Sequence, residues 1–506
     1  MNWKTVKTEL RYLFLPEGDA RRVGAFLGLV TVAAAILRAL LVNQPVFYDE
    51  AYTFIFYASK PLPTILANYS APNNHIFHTL LAALVYRLFG ASPLLLRLPA
   101  FLAGIACVPA AYLAARRFFN ANQALAAAAA IAVTPGLVEY SANGRGYTLI
   151  VLFSLLLANF AGLLVREQRR SALAAYGLTA ALGFFTIPIF LYPMAGLSLW
   201  LAASYLTESG ARQSGFRSLK VFLFTCALAG ILTFLLYSPV IFFGTGLGSL
   251  IGNEIVEPQT WRTFRANLAP RLTNTLIFWM SGIAPTFRVL SVVGFALSLL
   301  FQKKVSNQRL SLPVCMTLAV AVSMLVQRVV PLPRVWLFLE AFYMLFAAAG
   351  LTWLIELVLN RFPMRFNSAV IPSAIILITA GILVSTVTSA RTATVQKRDS
   401  PEEMAAAYIL AHIQPEDTLV AVSPVDIQTA YYLVVNGLSY DRFYQPSRPA
   451  KIQNALVLAR TNSSDGTYQD VLKRFDLTRD FMLKRAKLVF EYGPLQIYSV
   501  PARVGQ

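Results

Sequence analysis

A chain of 506 residues has length enough for three or four water-soluble domains, but 57% of its residues are hydrophobic, only 13% are charged and its mean hydropathy is +0.58. Soluble globular chains carry roughly 25% charge, so cytosolic enzymes, disordered chains and disulfide scaffolds are excluded in favour of a polytopic membrane protein. The formal charge of +19 would raise nucleic acid as a partner in a soluble protein; here membrane topology accounts for it, and no nucleic-acid role is expected.

A spanning helix needs about 20 mostly apolar residues. Such runs occur at 24–42, 93–115, 122–140, 147–165, 172–187, 189–206, 220–242, 284–302, 310–327, 335–356 and 368–388, predicting about eleven spans. The shorter run from His75 to Phe89 carries Arg87 and reads as an interfacial helix. Between the runs lie a long first outer loop, 43–92, and a second, 243–283. Residues 1–390 thus form a membrane domain, and 391–506 a soluble tail of mixed α/β pattern: helical spacing at 402–413 and 426–435, strand patterns at 418–422, 455–459 and 488–492. The predicted fold class is a mainly α membrane helix bundle with a C-terminal extracytoplasmic α/β domain. The first run lacks a cleavage site and reads as a retained span.

Basic clusters fall between alternate runs, at 4–22, 116–117, 166–170, 212–220, 303–309 and 361–365. By the positive-inside tendency these are cytoplasmic, which puts the N-terminus inside and the tail outside. The remaining basic residues of the membrane domain lie outside or in outer membrane halves, where an anion would explain them. Arg145, in Asn143-Gly144-Arg145-Gly146-Tyr147, and Arg334, in Pro333-Arg334-Val335-Trp336, each stand at the outer mouth of a span, and a planar guanidinium suits phosphate. Arg328 is a third candidate. For Arg262, Arg265 and Arg271 in the second loop, contact with lipid headgroups is an equal alternative.

Acids outside the cytoplasmic segments are few. Asp49 and Glu50 are adjacent, among Tyr48 and Tyr52, just after the first span. A carboxylate among aromatics at a membrane surface is a candidate general base, the plain alternative being a solvated helix cap. His75 and His78 follow Asn74 in the same loop and suit a phosphate or a metal. Their spacing matches no defined metal motif, so no cofactor is assigned and a divalent metal ion is an alternative. Glu139 and the intramembrane Glu340 are possible supporting groups, with an ion pair to Arg334 the plain reading of Glu340. The three cysteines lie in apolar runs and suggest neither zinc nor disulfides.

This order of elements resembles the glycosyltransferase C superfamily, in particular its bacterial branch similar to protein O-mannosyltransferases and the lipid A aminoarabinose transferase, a family-39-like group. The resemblance is carried by Asp49-Glu50, the His75 segment, Leu96-Arg97-Leu98-Pro99-Ala100, Tyr112 to Phe119, Glu139-Tyr140-Ser141 and Arg145-Gly146-Tyr147, with Pro333 to Trp336 further on. It implies an enzyme of the bacterial inner membrane that takes a sugar from a polyprenyl-phosphate donor on the outer face, the acceptor being a protein, lipid or cell-wall glycan hydroxyl. Asp49 matches the catalytic aspartate and Glu50 its neighbour, and Asn74, His75, Arg145, Tyr147, Arg334 and Tyr52 fall where donor phosphate and sugar would bind. The family often has prolines where Ile76-Phe77 stand, and some relatives have an acid at Asn74, a departure that counts against a metal there; some also have an acid in the second motif, where this chain has Arg145-Gly146-Tyr147, so no second catalytic carboxylate is carried over. The rival functions are a lipid-linked-sugar flippase or transporter, which would show repeated hydropathy and broken midplane helices, and a non-catalytic envelope scaffold.

Overall fold

The computed structural model describes residues 3–14, 21–208, 212–252, 257–361, 381, 400–446 and 452–503. The predicted span at 368–388 lies outside the described residues, apart from Gly381. The chain divides into two compact units: one of residues 1–43, 62–81 and 97–392, the other of residues 44–61, 82–96 and 393–506. Residues 44–61, expected in the membrane domain, therefore fold with the tail.

The first unit is helical, with α1 (Trp3–Phe14), α2 (Arg21–Val42), α4 (Leu62–Ala67), α6 (Pro93–Phe118), α7 (Ala121–Val133), α8 (Pro135–Ser141), α9 (Tyr147–Arg166), α10 (Arg170–Thr186), α11 (Leu191–Glu208) and α12 (Arg212–Phe243) in its first half. It continues with α13 (Leu247–Ile251), α14 (Trp261–Met280), α15 (Pro285–Leu300), α16 (Gln302–Val305), α17 (Leu312–Gln327) and α18 (Leu337–Leu359). Between α2 and α6 the chain also forms α3 (Tyr48–Thr53) and α5 (Ile76–Phe89). Among the described residues six helices are long and apolar enough to cross a membrane, or eight if each bent pair counts once, against the predicted eleven. The protein is thus a multi-pass membrane protein. Its outward faces carry Leu29, Val32, Ile36 and Leu40 on α2 and Val289 and Val292 on α15, all exposed. Such a surface suits lipid rather than water.

Two breaks shape this unit. The predicted run 122–140 is two helices bent by 57°, because Pro135 cannot continue the ladder and drives Thr134 to extended backbone (ψ 120°). The freed carbonyls are met by Arg38, fully buried, which donates to Ala132 O at 2.9 Å and Ile131 O at 3.4 Å, and to Ser141 Oγ at 3.1 Å. Gly104 makes room: a Cβ there would lie 2.1 Å from Ser141 Oγ. The second break turns α14 against α15 by 113° through Gly282, whose φ of +73° favours glycine. The second outer loop is therefore not open loop but carries a 20-residue helix. Where α15 meets α18, Gly294 and Gly350 touch backbone to backbone, a Cβ on Gly350 falling 2.0 Å from Gly294 O, the small-residue contact of membrane helices.

In the second unit, the tail folds as α19 (Pro401–His412), β1 (Asp417–Ala421), α20 (Val425–Val435), β2 (Asn454–Arg460), α21 (Tyr468–Arg474), β3 (Lys487–Tyr492) and β4 (Leu495–Pro501). The sheet order is β1-β2-β4-β3, with β1 parallel to β2 and the other pairs antiparallel. Val420, Val457, Ala459 and Val500 join Val471 and Leu472 of α21 in its core. Ser400 caps α19 by accepting from Glu403 N at 3.2 Å.

Candidate functional site

The first unit contains a cavity of about 400 Å³. Its wall includes His75, Arg145, Tyr147, Arg271 and Arg334, with Tyr69, Asn73, Gln259 and Tyr192 and the apolar segments 187–189 and 329–332. Among the described residues that line it, none is Asp or Glu. Three guanidinium groups, with no acid among the described lining residues, have the chemistry that suits an anion.

Each side chain is placed by local backbone chemistry. His75 is the residue before α5, its carbonyl accepting from Thr79 N at 2.8 Å. Arg145 closes the turn after α8, its N–H donating to Asn143 O at 2.7 Å, and Gly146 caps α9, of which Tyr147 is the first residue. A Cβ on Gly146 would stand 2.6 Å from Thr186 Cγ2 and 3.1 Å from both His75 Cβ and Nδ1. Glycine there lets the histidine approach the helix start. Arg334 sits on a 3-10 turn, Pro333–Trp336, that feeds α18. Gln259 is fixed by donating its N–H to Arg328 O at 3.0 Å, and Arg328, left-handed at φ +53°, ends α17. Arg328 thus supports the wall through its backbone rather than presenting its guanidinium as a lining group.

The histidine's proton can be assigned. Gly146 N–H donates to His75 Nδ1 at 2.8 Å, so a neutral ring carries its hydrogen on Nε2. Burial, then the Arg145 guanidinium, hold the ring's pKa well below the ordinary histidine value of 6.5, so the ring is neutral. Nε2 lies 3.1 Å from Arg145 Nη2, which brings two donors face to face. An oxygen of an anion accepting from both would resolve that contact. Tyr147 completes the cluster, its ring 5.1 Å from the His75 ring in an edge arrangement and flanked by the guanidinium carbons of Arg145 at 5.7 Å and Arg334 at 5.9 Å.

His75, Arg145, Tyr147 and Arg334, four of the candidates read from the sequence, meet at one cavity. Asn74 does not line it: its amide donates to Ile65 O at 2.9 Å and Asn68 O at 2.8 Å, closing the loop behind, while Asn73 takes the wall position. His78 is buried one turn along α5, neither ring nitrogen having a hydrogen-bond partner among the described residues. Glu340 is buried against Gly136, where a Cβ would be 2.7 Å from Oε2. Neither of its oxygens has a hydrogen-bond partner among the described residues, which departs from the expected ion pair with Arg334. Glu139 is exposed on α8. Asp49, Glu50 and Tyr52 belong to the second unit. There Glu50 is fully buried and accepts from Phe47 N–H at 2.8 Å, which makes it the brace of the turn carrying Asp49. The Tyr52 ring packs at a tilt of 47° against Phe56, centroids 4.5 Å apart, and burial pushes its hydroxyl up to about 12. Among the described residues no three His, Cys, Asp or Glu side chains come together as a metal-holding group.

Tyr192 and Gln259 are cavity residues that sequence reasoning did not single out. Of the second loop's three candidate arginines, α14 brings Arg271 to the cavity while Arg262 and Arg265 stay exposed.

Residues 72–242, about a third of the chain, match the family model described as dolichyl-phosphate-mannose-protein mannosyltransferase. Among solved structures the fold is similar to that of ArnT from Cupriavidus metallidurans. The apo form has 15% identity and a TM-score of 0.59 over 95% of this chain and 98% of that one. The form bound to undecaprenyl phosphate has 13% identity and a TM-score of 0.56 over 94% and 97%. No curated protein sequence matches the chain. The chain thus has a membrane-helix fold similar to that of ArnT, and about a third of it is similar to a mannosyltransferase family. The segment that matches contains His75, Arg145, Gly146 and Tyr147.

Proposed function

We propose that the protein transfers a sugar from a polyprenyl-phosphate-linked donor to an acceptor hydroxyl on the outer face of a bacterial inner membrane, with its N-terminus inside and its tail outside. The observation that carries the reading is the cavity of the first unit, which has three arginines, a neutral histidine donor and, among the described residues, no acid. Undecaprenyl phosphate, the ligand of one ArnT structure, has the headgroup chemistry such a cavity suits. In the reaction Asp49 accepts the proton of the acceptor hydroxyl. The acceptor oxygen bonds to the anomeric carbon as the bond from that carbon to the phosphate oxygen breaks, and the electron pair leaves with the lipid phosphate. Arg145, Arg334 and Arg271 stabilise the charge that develops there, His75 Nε2–H donates to the same phosphate, and Tyr147 offers a ring face to the sugar. A single displacement inverts the anomeric carbon.

The test incubates full-length protein in lipid with radiolabelled polyprenyl-phosphate sugars and a membrane extract, comparing wild type with Asp49→Ala. Labelled acceptor from wild type alone, with donor binding kept in the variant, is the expected result, and the labelled product identifies the acceptor as protein, lipid or glycan. Equal donor binding with transfer by neither would refute the transferase reading, and movement of the lipid across the bilayer would then be assayed.

A further inference from the structure

The acid pair of the first outer loop is held by the tail. Within the second unit, Gln428 and Tyr432 are four residues apart on α20 and so share one helix face. Both reach the backbone of Val46: Gln428 Nε2 donates to Val46 O at 3.1 Å, and Val46 N–H donates to Tyr432 Oη at 3.3 Å. One peptide segment is thus gripped on its donor and its acceptor side. The next residue, Phe47, donates its N–H to the buried carboxylate of Glu50 at 2.8 Å and its carbonyl accepts from Ala51 N at 2.9 Å. Asp49 lies inside the turn so formed.

The grip is extended by aromatic contacts. On the helical stretch after Asp49, Phe54 meets the Tyr431 ring edge-on at 5.2 Å, and Phe56 meets Tyr440 at 5.2 Å. Hydrogen bonds and ring contacts from α20, with one from Tyr440, thus run along the first loop from Val46 to Phe56. The Val46 contacts have a geometry that ordinary packing does not require. A merely adhesive interface would be satisfied by the aromatic pairs, whereas two hydrogen bonds to one residue's backbone fix position along the chain as well as distance.

We infer that Gln428 and Tyr432 are positioning residues that set the placement of Asp49, so the C-terminal domain is part of the catalytic apparatus. This rests on Asp49 as the base. Catalysis is sensitive to ångström-scale placement of a base, while donor binding draws on residues of the other unit.

The experiment uses the full chain in lipid and compares Tyr432→Phe, Gln428→Glu, which keeps size but removes the donor, and the double variant. Hydrogen exchange of residues 46–53 is measured with kcat and donor KM. The expected result is faster exchange at 46–53 with unchanged exchange in β2, a kcat reduced by about tenfold or more in the double variant, and a donor KM within about twofold of wild type. Faster exchange with full kcat would overturn the positioning role, and unchanged exchange would overturn the grip itself. Loss of protection in β2 as well would show that these residues serve tail folding, which also refutes the proposal. Asp49→Asn run alongside separates the underlying reading: if that variant keeps full activity, the base assignment fails, whatever the exchange data show.

Discussion

His75→Asn isolates the histidine's donor from its structural bond. An asparagine oxygen can accept from Gly146 N–H in place of Nδ1, which sits 2.8 Å from that nitrogen, so the start of α9 keeps its partner. What is lost is the Nε2–H, the group apposed to Arg145. A hydrogen bond to a charged group contributes about 1.5–3 kcal/mol, so affinity for a polyprenyl phosphate should fall roughly 10- to 150-fold. His75→Ala should do worse, since it also leaves the Gly146 N–H without its acceptor, adding about 1–3 kcal/mol of instability. The assay is titration of undecaprenyl phosphate into the full-length protein in nanodiscs between pH 5.5 and 8.5. Because burial and Arg145 hold the ring well below 6.5, it stays neutral over that range and the ratio of wild-type to variant affinity should not depend on pH. A wild-type affinity that strengthens as pH falls through 6.5, with the effect absent in His75→Asn, would mean a histidine that charges on binding and would refute the neutral-donor assignment. Equal affinities at every pH would remove His75 from the phosphate site.

Further outcomes follow from particular contacts. Arg271→Ala should weaken undecaprenyl phosphate binding about tenfold or more, whereas Arg262→Ala, exposed on the same helix, should leave it within twofold in the same titration. Gly146→Ala forces a methyl to 2.6 Å from Thr186 Cγ2 and against His75; overpacking of this kind costs about 1–3 kcal/mol, read as a lower Tm together with weaker lipid binding. Gly350→Ala meets the Gly294 carbonyl at 2.0 Å, a backbone atom that cannot step aside, so α15 and α18 must separate and the yield of monodisperse protein in detergent should drop. In the tail, burial raises the Asp426 carboxyl from 3.8 to about 6. A raised acid pKa destabilises the fold once the unfolded chain ionises, from pH 4 upward, and the effect is complete above pH 6. Asp426→Asn should therefore stabilise the tail by up to about 3 kcal/mol at pH 7 and by nothing below pH 4, followed as exchange protection of β2.

Much of the helix pattern was legible because lipid-facing and core-facing residues alike are apolar, so runs such as 24–42 and 147–165 stand out whatever they touch. The break inside 122–140 was not, since Pro135 is sheltered by Arg38, almost a hundred residues away. Helix α14 looked like a loop: its three arginines and Asn267, Thr273 and Asn274 dilute its apolar residues, and only its tertiary setting shows it as a helix that brings Arg271 to the cavity. In the tail, the predicted strands and helices lie within a residue or two of β1, β2, β3, α19 and α20. Strand β4 was missed although Gly493, at φ +55°, makes the turn from β3, because its seven residues end on Pro501 and mix polar with apolar positions. At the site, Arg145 and Arg334 were readable as basic residues at span mouths, where an anion is the simplest explanation. The docking of residues 44–61 with the tail was not, because it rests on backbone bonds from Gln428 and Tyr432 that leave no mark in hydrophobic pattern.

Sugar transfer from a polyprenyl-phosphate donor requires a lipid phosphate in the arginine cavity. The most direct measurement is the affinity of undecaprenyl phosphate for wild type and for the Arg145→Ala/Arg334→Ala double variant, in nanodiscs at two salt concentrations. The account predicts a loss of about 100-fold or more in the variant, with wild-type binding only weakly dependent on salt because Arg145 is buried. Equal affinity in the two proteins would contradict it.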